Sequence, residues 1–483
     1  MKLLKEKIGY GFGDMASSMF WKVFSYYLPF FYANVFGLKL ADTALLLLVT
    51  RIWDAVSDPM MGIVADRTHT RWGKYRPYLL WVAAPFSICG ILLFTTPDWG
   101  YGAKLVWAYV TYIMMMTVYT GINVPYGAML GVMTDDSQEK TVFSSFRMFF
   151  AYGGSFIALF AWEPLCNLFR NDMGLDLQRS WESAMIVIAT CCFVLFLICF
   201  KLTRETLTSE STASLGNDLK ALVTNKPWWL LNGGSLCFNL FNTVRGATVA
   251  FFFADVIGGE QNIVLFGLSL LFYSGLFLGV GEVANMLGVA LAVPITKRFG
   301  KKPTFILVDL LLIVFSVVFF TLSPESNAGL WLMLLLQVVI SILTGVMAPL
   351  VWSMYADVSD YSELKYKTAS TGLIFSSASM AQKFGGAIGG AAVMWLLDGC
   401  GYHERPAGVE TLDIAQPDSA ITCLWMLMTF IPAAVALLSM IIVWFYPLTT
   451  ARMEDIVAKL KAQRALPHGD VPQEDVAEDF ANV

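Results

Sequence analysis

Twelve apolar runs of roughly spanning length, separated by short polar stretches, leave this chain little choice of solvent. They lie near 9–36, 41–65, 78–96, 104–133, 145–169 and 183–202, then near 228–256, 263–296, 304–322, 328–356, 369–398 and 419–446. A spanning helix needs about 20 largely apolar residues, and several of these runs are longer, which implies tilt. Charged residues make up only 14% of the chain against 57% hydrophobic, whereas soluble chains carry about 25% charged residues. In lipid every backbone polar group must be satisfied internally. The expected fold is therefore an all-α membrane protein with twelve transmembrane helices.

The basic residues orient it. Of the 32 Lys and Arg, 22 fall in the termini and in alternate loops (66–77, 134–144, 201–227, 297–303 and 357–368). The positive-inside rule then places both termini in the cytoplasm and the chain in the cytoplasmic membrane as a multi-pass protein. Residues 203–227 form the one long polar stretch between spans. They divide the chain into an N-terminal six-helix bundle (1–202) and a C-terminal one (228–446), followed by a cytoplasmic tail (447–483). The halves echo each other. RWGKYRP after the second span is matched by KRFGKKP after the eighth, and VPYGAMLGVMTDD by APLVWSMYADVSD. Such echoes indicate parallel repeats, two pseudo-symmetric bundles of the kind transporters use. The tail begins with an amphipathic stretch suited to a membrane surface and ends acidic. Eight Cys and three His show no metal or disulfide spacing, and the N-terminus lacks the compact apolar core of a cleaved signal.

Charges inside the spans are the functional candidates, because a charge at the centre of a span costs at least about 2.5–3.5 kcal/mol. In RIWDAVSDPMMG, Arg51, Asp54 and Asp58 share one helical face. Two carboxylates with nearby hydroxyl oxygens can hold a dehydrated monovalent cation or carry a proton. A purely structural salt bridge is the alternative, but one arginine cannot neutralise two aspartates. In the fourth span Tyr119, Thr120, Asn123 and Tyr126 offer stacking faces and directional hydrogen bonds for a polyhydroxylated ligand. The first span adds Asp14, Ser17, Ser18, Trp21, Lys22 and Ser25, and the seventh adds Asn239, Asn242 and Arg245. Lys383 stands alone in the Gly-rich eleventh. Glu282 and Asp309 read as helix–helix contacts. The loop from Asp66 through Arg67, Arg71, Lys74 and Arg76 reads as a cytoplasmic gate.

The run YGFGD (10–14), the block 51–78, INVPYGAML with TDD (122–136), Arg147 in FRMFFA and ADVSDYSELK (356–365) together resemble the glycoside–pentoside–hexuronide:cation symporters of the major facilitator superfamily. The resemblance covers nearly the whole chain. It implies cation-coupled symport, driven by H+ or Na+, of a pentoside, hexoside or hexuronide by alternating access, with no cofactor beyond the coupling ion. It implies cation binding at Asp54, Asp58 and Thr120, with Asn123 beside them, and sugar binding or coupling at Tyr119, Arg147 and Lys383. Ser17–Ser18, Asn123 and Gly127 depart from the melibiose-carrying members, and Asp14 with NVPYG is closer to the xyloside and pentoside branch.

The expected partners are a small sugar or glycoside, a monovalent cation and the lipid bilayer, with no nucleic acid and a functional monomer. Two alternatives compete. A lipid-like or drug substrate would suit the same fold. An intramembrane prenyltransferase would use Asp54, Asp58 and Asp66 on magnesium diphosphate, but it needs a second aspartate cluster, for which only Asp357 and Asp360 are candidates.

Overall fold

The computed structural model describes residues 2–133, 137–205, 223–265, 268–366, 371–404 and 415–465. The chain runs through α1 (Lys2–Phe31), α2 (Leu40–Asp66), α3 (Arg76–Trp81), α4 (Ala83–Phe94), α5 (Tyr101–Met133), α6 (Ser137–Asn167) and α7 (Leu177–Leu202). It continues with α8 (Lys226–Phe252), α9 (Ser274–Phe299), α10 (Lys301–Phe319), α11 (Asn327–Tyr366), α12 (Thr371–Gly399), α13 (Asp418–Met428), α14 (Phe430–Trp444) and α15 (Thr450–Ala465). With α3–α4 and α13–α14 each taken as one crossing, α1 to α14 trace the twelve expected. Among the described residues, eight of these contain a stretch long and apolar enough to cross a membrane by composition. Among the rest, α1, α2 and α12 are long helices that carry Asp14, Lys22, Arg51, Asp54, Asp58 and Lys383. Their polarity belongs to a cavity, not to lipid.

The repeat echoes have a geometric cause. Gly73 after α2 and Gly300 after α9 both have positive φ, 116° and 85°, a conformation that costs a glycine little. A side chain at Gly73 would also collide with the Glu205 carboxylate. That carboxylate accepts the backbone N–H groups of Lys74, Tyr75 and Arg76 at 2.7, 2.8 and 2.6 Å, capping the start of α3 as helix N-termini favour. Arg76 then donates to the Phe200 carbonyl at 2.9 and 2.6 Å. In the second half Lys302 donates likewise to the carbonyls of Trp444 and Tyr446 at 2.7 and 2.8 Å. A third echo joins them: FYANVFG and FFADVIG close α1 and α8 with a π turn and a left-handed glycine, Gly37 or Gly258. Glu205→Ala strips three backbone donors of one charged acceptor. It should lower the stability of the purified protein by about 1–3 kcal/mol, read as a fall in melting temperature, with Glu205→Asp intermediate.

The structure corrects two expectations and refines two more. The run 263–296 opens as an antiparallel hairpin, Gln261–Leu265 with Leu268–Phe272, and becomes helical only at Ser274. A short apolar run does not distinguish strand from helix by periodicity. The stretch 357–368 is not loop at its start: α11 runs on to Tyr366, because Val358, Tyr361 and Leu364 extend its buried face. The amphipathic tail helix is α15, and it packs on α11 through Met453, Ile456 and Leu460, as part of the second half's core. The helix α6 also starts earlier than expected, at Ser137.

The two halves meet along three helix pairs, α1 on α8, α2 on α12 and α6 on α9. At the end opposite the basic loops they are tied together. Tyr27 and Ser274 hydroxyls lie 3.0 Å apart, both contact Glu163, and Tyr273 donates to the Phe160 carbonyl at 2.8 Å.

Candidate ion and substrate site

The helical spacing on α2 puts Arg51, Asp54 and Asp58 toward α5 and α12. Asp54 is fully buried at 1% exposure. Thr120 of α5 donates to Asp54 Oδ1 at 3.2 Å or to Asp58 Oδ1 at 3.0 Å. The Ser57 hydroxyl lies 3.4 Å from it. The second cation that two aspartates demand comes from the other half of the chain. Lys383 Nζ sits 3.2 Å from Asp54 Oδ1 and in direct contact with Asp58 Oδ2. Arg51 is 3.8 Å from the other oxygen of Asp54, with its guanidinium over the Trp21 ring. Two carboxylates thus face two cations in a confined space. The ammonium group of Lys383 sits between the two carboxylates.

Beside this cluster a cavity of about 520 Å³ opens between the halves. Trp21, Lys22, Tyr119, Thr120, Asn123, Arg147, Asn239, Asn242, Asp58 and Lys383 all line it. The Trp21 and Tyr119 rings lie 4.9 Å apart and form an aromatic wall. Asn123 Nδ2 is buried with no hydrogen-bond partner, a donor available to a ligand. Asn239 and Asn242 each donate to a carbonyl of their own helix, at 2.7 and 2.9 Å, which leaves their carbonyl oxygens for other contacts.

The remaining cations are paired. Arg147 Nε donates to Asp14 at 2.9 Å, and Lys22 bridges the halves to Glu282 at 2.5 Å. Glu282, expected to make a local helix contact, is thus a link between bundles. Arg245 and Ser18 lie off the main cavity. Arg245 is buried and donates to the Met428 carbonyl and to Gln337, both at 2.8 Å, beside a small separate cavity. Ser18 lines another one next to Lys22. Gln382, Ser379, Tyr112 and Thr243 also line the main cavity, although nothing in the sequence alone singles them out as a group. Ser379 and Gln382 stand one turn before and one residue before Lys383, a helical spacing that could have picked out Ser379.

In the basic loop Arg67 and Arg71 are exposed, with Arg71 over the Trp72 ring at 4.5 Å. The backbone of Lys74 and Arg76 is held by Glu205 as described. The side chain of Asp66 lies outside the described residues. On the second half Lys301 pairs with Asp357 at 2.6 and 2.7 Å, so this carboxylate is engaged in holding α10 to α11.

Fold and site together define a secondary transporter of the major facilitator type. Residues 9–450 match the family model described as MFS/sugar transport protein, and the chain belongs to that family. It is 34% identical over 471 residues to YagG of Escherichia coli, a protein named for glycoside/cation symport, covering 97% of both chains. It is 32% identical to the isoprimeverose transporter of Lactiplantibacillus pentosus, over 83% of this chain and 81% of that one. It is 30% identical to the glucuronide carrier protein homolog of Escherichia coli, over 94% of each. Among solved structures, a bacterial homologue of the human drug peptide transporters PepT1 and PepT2 superposes with a TM-score of 0.67 at 12% identity, covering 95% of this chain and 99% of that one. At that identity the likeness shows the fold alone. The protein is a multi-pass membrane symporter for sugars, not an enzyme, and the prenyltransferase alternative is excluded.

Proposed function

We propose that this symporter imports an uncharged sugar or glycoside across the cytoplasmic membrane, coupled to Na+ or H+ bound at Asp54 and Asp58, and that a single chain suffices. The observation that carries the reading is Lys383, an ammonium from one half seated on both aspartates of the other. An entering cation competes with that ammonium, and its binding loosens a tie between the halves. Linkage makes the coupling reciprocal: a cation that favours the sugar-competent state is itself bound more tightly when sugar is present. The basic loops mark the cytoplasmic side. The ties around Tyr27, Glu163 and Ser274 lie at the opposite end, so the conformation reads as closed to the outside. The basic loop, held by Glu205, would then take its part as the gate when the cytoplasmic side closes.

Charge balance selects the substrate. Arg51 and Lys383 answer Asp54 and Asp58, Arg147 answers Asp14, and Lys22 answers Glu282. Among the described residues, no cation lining the main cavity is left for a carboxylate on the sugar. A hexuronide would have to strip one of these acids of its partner, at the high cost of an unpaired buried charge. So many charged groups also make a poor lining for a lipid-like substrate. In membrane vesicles under an imposed Na+ or H+ gradient, neutral pentosides and hexosides should accumulate, and the corresponding uronides should accumulate at least about tenfold less, a difference of about 1.4 kcal/mol. Uronides taken up as well as neutral glycosides would overturn the charge-balance argument.

A further inference from the structure

The ion site has a counterpart in the second half. Asp58 stands 15 residues before Gly73, and Asn285 stands 15 before Gly300. Thr120 and Thr344 each stand five residues before a proline inside their helix, Pro125 and Pro349. The hydrogen bond between helices is repeated as well: Thr120 reaches Asp58 Oδ1 at 3.0 Å, and Thr344 reaches Asn285 Oδ1 at 2.9 Å. Gly281 takes the place of Asp54 by the same count, and the carboxylate is supplied next door by Glu282. Each site is filled by an ammonium group from the opposite half, Lys383 in the first and Lys22 in the second.

The two sites differ in what they can exchange. Glu282 is 2% exposed, and its Oε2 is buried with no hydrogen-bond partner. It borders a polar cavity of about 50 Å³ that is also lined by Arg245, Asn285, Ser341 and Thr344. Lys22 and Arg245 together outnumber its one carboxylate, so no room in charge remains for an added cation. Depth differs too. Lys22 lies nine residues from the end of α1 and Glu282 eight from the start of α9. At 1.5 Å per residue both are about 12–14 Å from the end opposite the basic loops. Asp58 lies 18 residues into α2, about 27 Å by the same measure.

We propose that Glu282 is a positioning residue of the transport cycle: with Lys22 it forms a latch between bundles that closes the cavity toward the outer side and parts whenever that side opens. The latch is the repeat-related copy of the ion site with its cation built into the chain. This rests on the alternating-access reading above.

Cys166 is a native reporter. It is buried and lines a second cavity of about 340 Å³ between the halves at the outer end, with Tyr27, Glu163 and Ser274. The test is the alkylation rate of Cys166 by a charged maleimide in the purified full-length protein in nanodiscs, followed by peptide mass spectrometry, with Cys166→Ser identifying the signal. Glu282→Gln and Lys22→Met should each raise the rate about tenfold by shifting the population toward the open form. The double variant should be no faster than either single, because both remove one interaction. A contact that merely stabilised the fold would lower the melting temperature and leave Cys166 protected. Native rates in both single variants, or a double variant whose effect is the product of the two, would overturn the proposal. The measurement needs no substrate, so its failure is distinct from a failure of the native protein to take up any sugar.

Discussion

Asp58→Asn is expected to reduce cation-driven sugar accumulation to simple equilibration while leaving sugar exchange within about tenfold of the native rate. In the native site Arg51 and Lys383 balance Asp54 and Asp58. Removing one charge leaves two cations facing Asp54 alone, so an entering cation meets a net positive site. Truncating one member of a buried pair typically costs about 3–5 kcal/mol. Asp58 is 29% exposed, and solvent screening brings the figure down, to about 1–3 kcal/mol. That still weakens the cation by about fivefold to a hundredfold or more. Exchange survives because the neutral amide that Asp58→Asn introduces matches the charge of a cation-loaded aspartate. Arg51 and Asp54 balance, Lys383 is held by one carboxylate instead of two, and the halves can separate without an ion. Uphill uptake at the native level in this variant would remove Asp58 from the coupling site.

That expectation depends on a contact the sequence could not display. Spacing on α2 made Arg51, Asp54 and Asp58 one face, and simple charge counting showed that a cation was missing. Nothing local identifies it as Lys383, which is 325 residues away and by sequence alone is a solitary charge in a Gly-rich span. Only the packing of α2 on α12 joins them. The same holds for Lys22 and Glu282, separated by 260 residues. Number and order of crossings were legible because lipid imposes length and polarity on every span. Length and polarity are less telling at the ends of spans: Gln261–Leu265 and Leu268–Phe272 form a hairpin, and the end of α11 stays helical. Repeat echoes were legible where glycine or proline fixes the backbone, as at Gly73 and Gly300. FYANVFG and FFADVIG are hard to see as echoes in the sequence, because their shared feature is a π turn and a left-handed glycine, not a charge. Arg245 shows how a buried guanidinium can be engaged by the fold itself. A guanidinium in a span suggests a ligand, but here its donors go to a carbonyl freed near the break between α13 and α14 at Thr429 and to Gln337. Backbone groups released by helix breaks need such partners.

Lys383→Met separates competition from mere attraction, because it should give a response to cation opposite in sign to that of Asp58→Asn. With the ammonium gone, the two aspartates face only Arg51, and the site carries a net negative charge that a cation can answer. An occupant that fills a site most of the time reduces apparent affinity by the fraction left vacant. Removing it should therefore lower the cation concentration for half-maximal sugar exchange by about tenfold or more. Accumulation should nevertheless collapse. The carrier must return without its cargo, and without Lys383 that return moves an unbalanced buried carboxylate through the occluded state, at a cost of several kcal/mol. Loaded carriers need not return empty, so exchange persists. Combining both changes restores neutrality through Arg51 and Asp54 alone. The double variant should exchange sugar at a rate independent of cation, with no accumulation. If Lys383→Met instead leaves the cation requirement unchanged or raises it, the ammonium group helps to hold the ion rather than taking its place, and the competition mechanism fails.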